Sequence, residues 1–100
     1  MNITKNMNDG VLEIALEGRL DTSTAPQLDS ELKASVDKAD SVVFDFAKLD
    51  YISSAGLRVL LSANKAMLNR GKEPVKVINA NEIVKEVFEV TGFCDILNIA

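Results

Sequence analysis

From Ser41 onward the chain switches repeatedly between strand-like and helix-like hydrophobic spacing, and this alternation most narrows the folds open to it. Ser41-Val42-Val43-Phe44-Asp45-Phe46 is short, β-rich and nearly continuous in apolar character, which predicts a strand covered on both faces. After a loop over Ala47–Ile52, Leu57, Leu60, Leu61 and Met67 recur at helical steps, with Arg58, Ser62, Lys65 and Asn69 on a separate face. That predicts a helix over Ala55–Asn69, closed by Gly71. Val75–Ile78 returns to a buried-strand pattern. Asn81 then suits an N-cap, Ile83, Val84, Val87 and Phe88 a core stripe, and Gly92 a helix end. Ile96–Ile99 reads as a last short strand. Strands alternating with helices imply parallel strands joined by right-handed crossovers.

The first part of the chain follows a different rule. Asn8-Asp9-Gly10 is a tight-turn signal, because Asp-Gly readily adopts positive φ. It separates a short strand at Ile3–Lys5 from Val11–Glu17, where Leu12, Ile14 and Leu16 share one face and Glu13 and Glu17 the other. Gly18-Arg19-Leu20-Asp21 closes that strand. Thr24 and Gln27 have the spacing of a capping box, and Pro26 is tolerated in a first helical turn. With Leu28, Leu32, Val36 and Ala39 they predict a helix from about Ala25 to Lys38. The expected class is α/β: a mixed, mostly parallel sheet with an antiparallel N-terminal edge hairpin and helices packed on it, in one domain over residues 1–100. With 47% hydrophobic residues, a chain of 100 residues can bury a core of its own.

Composition removes most chemistries. The chain has no histidine and one cysteine, which excludes Ser-His-Asp and Cys-His catalysis, imidazole-based metal sites and a cysteine zinc cluster. Neither a Gly-x-x-x-x-Gly-Lys loop nor a Gly-x-Gly-x-x-Gly motif is present. No catalytic residue, metal or cofactor is expected. A net charge of −4 argues against a nucleic-acid partner, which calls for clustered Lys and Arg. No segment approaches the roughly 18 apolar residues of a membrane span, and Met1–Asn8 lacks a signal-peptide core. A cytoplasmic location is the expectation. Cys94 reads as a small buried hydrophobe.

In open α/β sheets, sites gather at the carboxyl ends of parallel strands. Gly18–Thr24 and Leu49–Gly56 both fall there. The second segment puts Ser53 and Ser54 at the start of the central helix, where amide N–H groups and the helix dipole favour an anion such as a phosphate on serine. Plain N-capping accounts for the same serines. Asp21 suits either a partner surface or a loop-ordering carboxylate. Asp45, placed at a strand end, suits loop ordering, and Arg58, Ser62 and Lys65 suit a solvated helix face.

The stretch Val42-Val43-Phe44-Asp45-Phe46 followed by Leu49-Asp50-Tyr51-Ile52-Ser53-Ser54-Ala55-Gly56-Leu57-Arg58-Val59-Leu60-Leu61 resembles the core of the STAS family, which includes the bacterial anti-sigma factor antagonists. Gly18-Arg19-Leu20-Asp21 with Thr22–Ala25 is similar to that family's Gly-x-Leu-Asp segment. Val87-Phe88, Thr91-Gly92-Phe93 and Ile96 are similar to its C-terminal helix and turn. The resemblance spans nearly the whole chain. It implies a non-enzymatic antagonist that captures an anti-sigma factor serine kinase and so frees a sigma factor. Phosphorylation at the central-helix serine would end the capture, and a metal-dependent serine phosphatase would reset it. The matching acceptor is Ser54, with Ser53 as the second candidate. Many antagonists carry Asp immediately before the acceptor, where this chain has Ser53. The implied partner surface comprises Asp21, Thr22, Ser53, Ser54, Ala55, Gly56 and Arg58. The other reading the resemblance allows is a non-enzymatic STAS subunit of a transport or signalling complex. A phospho-aspartate receiver built on Asp45 lacks the acidic cluster that such a site requires.

Overall fold

Asp9 and Gly10 both take positive φ, at 50° and 82°, the pairing that a two-residue hairpin turn demands. They join β1 (Asn2–Asn8) to β2 (Val11–Leu20), paired antiparallel from Asn8↔Val11 to Asn2↔Glu17. The computed structural model describes residues Met1–Ala100. After the hairpin come α1 (Ala25–Ser35), a 3₁₀ turn (Val36–Lys38), β3 (Ser41–Ile52), α2 (Ser54–Asn69), β4 (Lys76–Ile78), α3 (Glu82–Thr91), a 3₁₀ turn (Phe93–Asp95) and β5 (Asn98–Ile99). The strands lie in the order β1-β2-β3-β4-β5, and every pair after the first is parallel. This is the mixed, mostly parallel sheet with an antiparallel edge hairpin that the alternation predicts.

The sheet is covered on one face, not both. Leu12, Ile14 and Leu16 of β2, Val42, Phe44 and Phe46 of β3 and Val77 of β4 are buried, together with Leu28 and Leu32 of α1, Leu60 and Met67 of α2, and Val84 and Phe88 of α3. The intervening residues Glu13, Ala15 and Glu17 are exposed, while Val43 and Asp45 are half-buried. Val43 alone made the run from Ser41 look continuous; pleating turns it away from the core. Phe44, Phe46, Phe88 and Phe93 form a chain of ring contacts, with centroids 5.8, 6.3 and 6.4 Å apart in turn.

Other expectations need correction. The segment from Ala47 to Ile52 is strand rather than loop: β3 continues along β2 through register shifts between Ala15 and Glu17 and between Gly18 and Arg19. Gly18, at φ 110°, supplies backbone conformations that other residues rarely adopt. Asp45 therefore lies within a strand. The Thr24–Gln27 capping box does not form, because the Thr24 hydroxyl donates to the Arg19 carbonyl at 2.8 Å and the Gln27 amide to the Met1 carbonyl at 3.4 Å. The regular α-helix ends at Ser35, three residues before the expected Lys38, which lies at the end of the 3₁₀ turn. Ile83 is 59% exposed. Cys94 is exposed too: Phe93 takes the inward position against Phe88, and the tight turn points the next side chain outward.

Candidate functional site

The parallel pairing carries β2 and β3 to their ends side by side, at Leu20↔Ile52. The Ser53 N–H donates to the Leu20 carbonyl at 2.9 Å, so the turn into α2 is tied to the end of β2. Ser53 is extended, at φ −100° and ψ 176°, and α2 begins at Ser54. Gly56 is buried in the first turn. A β-carbon there would lie 2.6 Å from Leu20 Cγ and 2.9 Å from Ile52 Cγ1. Only glycine lets α2 settle this closely on the strand ends.

This arrangement separates the two serines. Ser54, the first residue of α2, is exposed, whereas Ser53 is half-buried. The Ser53 Oγ is shielded from solvent and has no hydrogen-bond partner. It does not cap α2, unlike Asn81, whose side chain accepts from the Val84 N–H at 2.8 Å at the start of α3. The Ser54 hydroxyl stands at the positive end of a 16-residue helix whose first turn carries no acidic residue.

Asp21 occupies the neighbouring loop and orders it. Its Oδ1 accepts from the Ser23 N–H at 3.0 Å, the Ser23 hydroxyl at 2.8 Å and the Thr24 N–H at 3.2 Å. The Ser23 hydroxyl, with the Ser23 and Thr24 donors adding to it, holds the carboxyl below its ordinary value against the opposing pull of desolvation. The other oxygen, Oδ2, lies 3.9 Å from Arg19 Nε. The Arg19 guanidinium in turn sits 4.5 Å above the Tyr51 ring. Sequence reading missed this pair, because its facing register, Arg19↔Tyr51, depends on the second register shift.

The structure thus brings Asp21, Thr22, Ser53, Ser54, Ala55, Gly56 and Arg58 to one end of the sheet. Thr22, Ala55 and Arg58 line a shared groove with Ala25, Pro26, Asp29 and Val59, between the starts of α1 and α2. Asp45 lies apart from them, accepting from the Ala47 N–H at 3.0 Å within β3 and from the Asn79 amide at 3.1 Å, which ties the irregular part of β3 to the β4–α3 connection. No cluster of His, Cys, Asp and Glu forms that could hold a metal ion. No helix is long and apolar enough to cross a membrane.

A one-sided mixed sheet presenting a serine at the tip of its central helix defines a class of small α/β modules. The sequence matches the STAS domain over residues 2–100, and the chain belongs to that family. It is 42% identical over 101 residues to a candidate anti-sigma factor antagonist, BtrV of Bordetella bronchiseptica, covering 100% of this chain and 86% of BtrV. It is 25% identical over 100 residues to the anti-sigma-B factor antagonist of Staphylococcus aureus, covering 99% of this chain and 92% of that protein. The fold is similar to that of the anti-sigma factor antagonist SpoIIAA in its unphosphorylated form, with a TM-score of 0.79 at 15% identity over 99% of this chain and 87% of SpoIIAA. For the phosphorylated form of Bacillus SpoIIAA the TM-score is 0.78 at 17% identity, over 99% and 91%.

Proposed function

We propose that this chain is an anti-sigma factor antagonist switched by phosphorylation of Ser54. Unmodified, it binds an anti-sigma factor that is also a serine kinase, and the sigma factor is released. The observation that carries the reading is the contrast between the two serines: Ser54 is exposed at the start of α2, while the Ser53 Oγ is shielded. Only the Ser54 oxygen is open to in-line attack on a nucleotide held by another protein.

The chemistry asks little of this chain. The Ser54 oxygen attacks the γ-phosphorus of ATP in the partner's pocket, the bond from that phosphorus to the leaving oxygen of ADP breaks, and the hydroxyl proton passes to a base on the kinase. The chain is substrate rather than catalyst, and nucleotide and metal come with the kinase. A metal-dependent serine phosphatase returns Ser54 to the hydroxyl by hydrolysis. The modification brings roughly −1.5 to −2 charges into the contact. Burying that charge against a partner without paired cations costs on the order of several kcal/mol, enough to weaken a micromolar complex by orders of magnitude. The names of the relatives, BtrV and the Staphylococcus protein, support the assignment, and the ordered loop at Asp21 supports a preformed contact surface.

The test is incubation with the host's serine-kinase anti-sigma factor and ATP, followed by mapping of the modified peptide. Modification confined to Ser54, with dissociation of the complex, is the expected result. Modification at Ser53 alone overturns the choice of residue. A stable complex with transport components and no phosphorylation overturns the switch.

A further inference from the structure

We propose that Arg58 is the cation that holds the phosphate once Ser54 carries it, a role that rests on the phosphorylation reading above. Ser54 and Arg58 are four residues apart on α2, a spacing that puts two side chains on one helix face with about 5–6 Å between their β-carbons. Direction favours the contact as well as spacing. A long side chain on a helix leans towards the N-terminus and covers the turn before its own Cα. The same lean would bring the guanidinium of Arg58, which lines the groove beside Ala55, over the turn that begins at Ser54.

Arg58 is also free to act. It is exposed and takes part in no ion pair of the chain. The other two arginines are committed. Arg19 lies against Asp21 and Tyr51. Arg70 Nη1 donates to the carbonyls of Val36 at 2.7 Å and Ala39 at 2.8 Å, tying the end of α2 to the α1–β3 connection.

The acids around this end of the sheet are absent from the first turn, engaged elsewhere or turned to solvent. The first turn of α2 contains none. Asp29 of α1, which lines the groove with Arg58, is paired with Lys33 at 3.0 Å. Asp21 of the β2–α1 loop is engaged by Ser23, Thr24 and Arg19, and Asp50 of β3 is exposed to solvent. A guanidinium fork matches phosphate oxygens two at a time, which a lysine ammonium cannot do. The uncapped first turn of α2 adds amide donors on the same side. Pairing within the chain has a consequence for the switch: phosphorylation alters Ser54 and also withdraws Arg58 from the surface offered to the partner.

The experiment uses the full chain with phosphoserine installed at position 54 by genetic encoding. No kinase is needed, so failure of the kinase to act on this protein and failure of the Arg58 contact are separate results. The phosphorus resonance is titrated across the second ionisation of the phosphate. The wild-type midpoint lies below that of Arg58→Ala by about 0.3 pH unit, the size of an i,i+4 charge pair. Arg58→Lys falls between them, and the difference shrinks as salt approaches about 1 M. Equal midpoints in the wild type and Arg58→Ala overturn the proposal. So does an Arg58 Nε resonance that stays unmoved when the phosphate is installed.

Discussion

Gly56 lies against Leu20 so closely that a β-carbon at position 56 would stand 2.6 Å from Leu20 Cγ. The pair determines where α2 begins relative to the ends of β2 and β3, and hence where Ser54 is presented. Gly56→Ala improves intrinsic helix propensity by about 1 kcal/mol but overpacks the junction, at a cost of roughly 1–3 kcal/mol. Overpacking prevails, because the nearest neighbours, Leu20 and Ile52, are themselves buried and have little room to move. The expected outcome is a lower urea midpoint for Gly56→Ala, with weaker partner binding than the stability loss accounts for. A variant as stable as the wild type contradicts the packing account.

The two serines separate cleanly by substitution. Ser53→Ala removes a shielded oxygen that has no partner, so stability is unchanged or slightly higher and Ser54 is still modified. Ser54→Ala alters an exposed helix-start residue, stays within about 0.5 kcal/mol of the wild type, and binds the kinase without being released. Ser54→Asp weakens binding, but only in part, since one charge replaces nearly two. Phosphopeptide mapping and titration calorimetry on the three variants check all of this. A Ser54→Asp protein that binds as tightly as the wild type removes the electrostatic basis of the switch.

How much of this was legible beforehand depended on whether the determinant was local. The hairpin at Asp9-Gly10, the central helix expected over Ala55–Asn69 and the cap at Asn81 are written in short-range spacing, and all three form, the helix one residue earlier at Ser54. The extension of β3 to Ile52 rests on bulges against β2, which no window of sequence contains. Thr24 carries a capping signature, but the Arg19 carbonyl claims its hydroxyl. Ile83 and Cys94 were misplaced because an apolar residue type does not say which way a side chain points once Val84, Phe88 and Phe93 fill the inner positions. At the site, the positions of Ser53 and Ser54 at the helix start were readable. Which hydroxyl is open was not, since it follows from the extended backbone at Ser53 and its tie to Leu20.

Asp21 makes the acid limb of stability sensitive to one residue. Its carboxyl titrates below the ordinary value, chiefly because the Ser23 hydroxyl donates to the ionised form, with the backbone and Thr24 donors adding to this against desolvation. A group whose folded-state pKa is depressed contributes stability above its unfolded pKa and loses it as the pH falls through the folded pKa. The contribution is therefore complete at neutral pH and disappears on the acid side of the normal carboxylate range. Asp21→Asn keeps an acceptor oxygen for the Ser23 and Thr24 donors but cannot ionise. Urea midpoints measured from neutral to strongly acidic pH fall less steeply for Asp21→Asn than for the wild type. Parallel curves contradict the assignment.

Asn81 offers a test of how α3 is held to the rest of the fold. Its side-chain oxygen accepts from the Val84 N–H at 2.8 Å, while its amide donates to the Leu49 carbonyl at 3.0 Å. One residue thus caps α3 and ties it to the far half of β3, the stretch that leads into Ser53. Loss of a helix cap costs about 1 kcal/mol, and the orphaned Leu49 carbonyl adds a comparable amount because Leu49 itself is buried. Asn81→Ala is expected to lose about 2 kcal/mol. Asn81→Asp retains the cap but loses the donor to Leu49, so it recovers only the cap's share. Chemical denaturation of the two variants measures the two contributions separately. Equal stability of Asn81→Asp and the wild type means that the link to β3 contributes nothing, and α3 is then held by Val84 and Phe88 in the core alone.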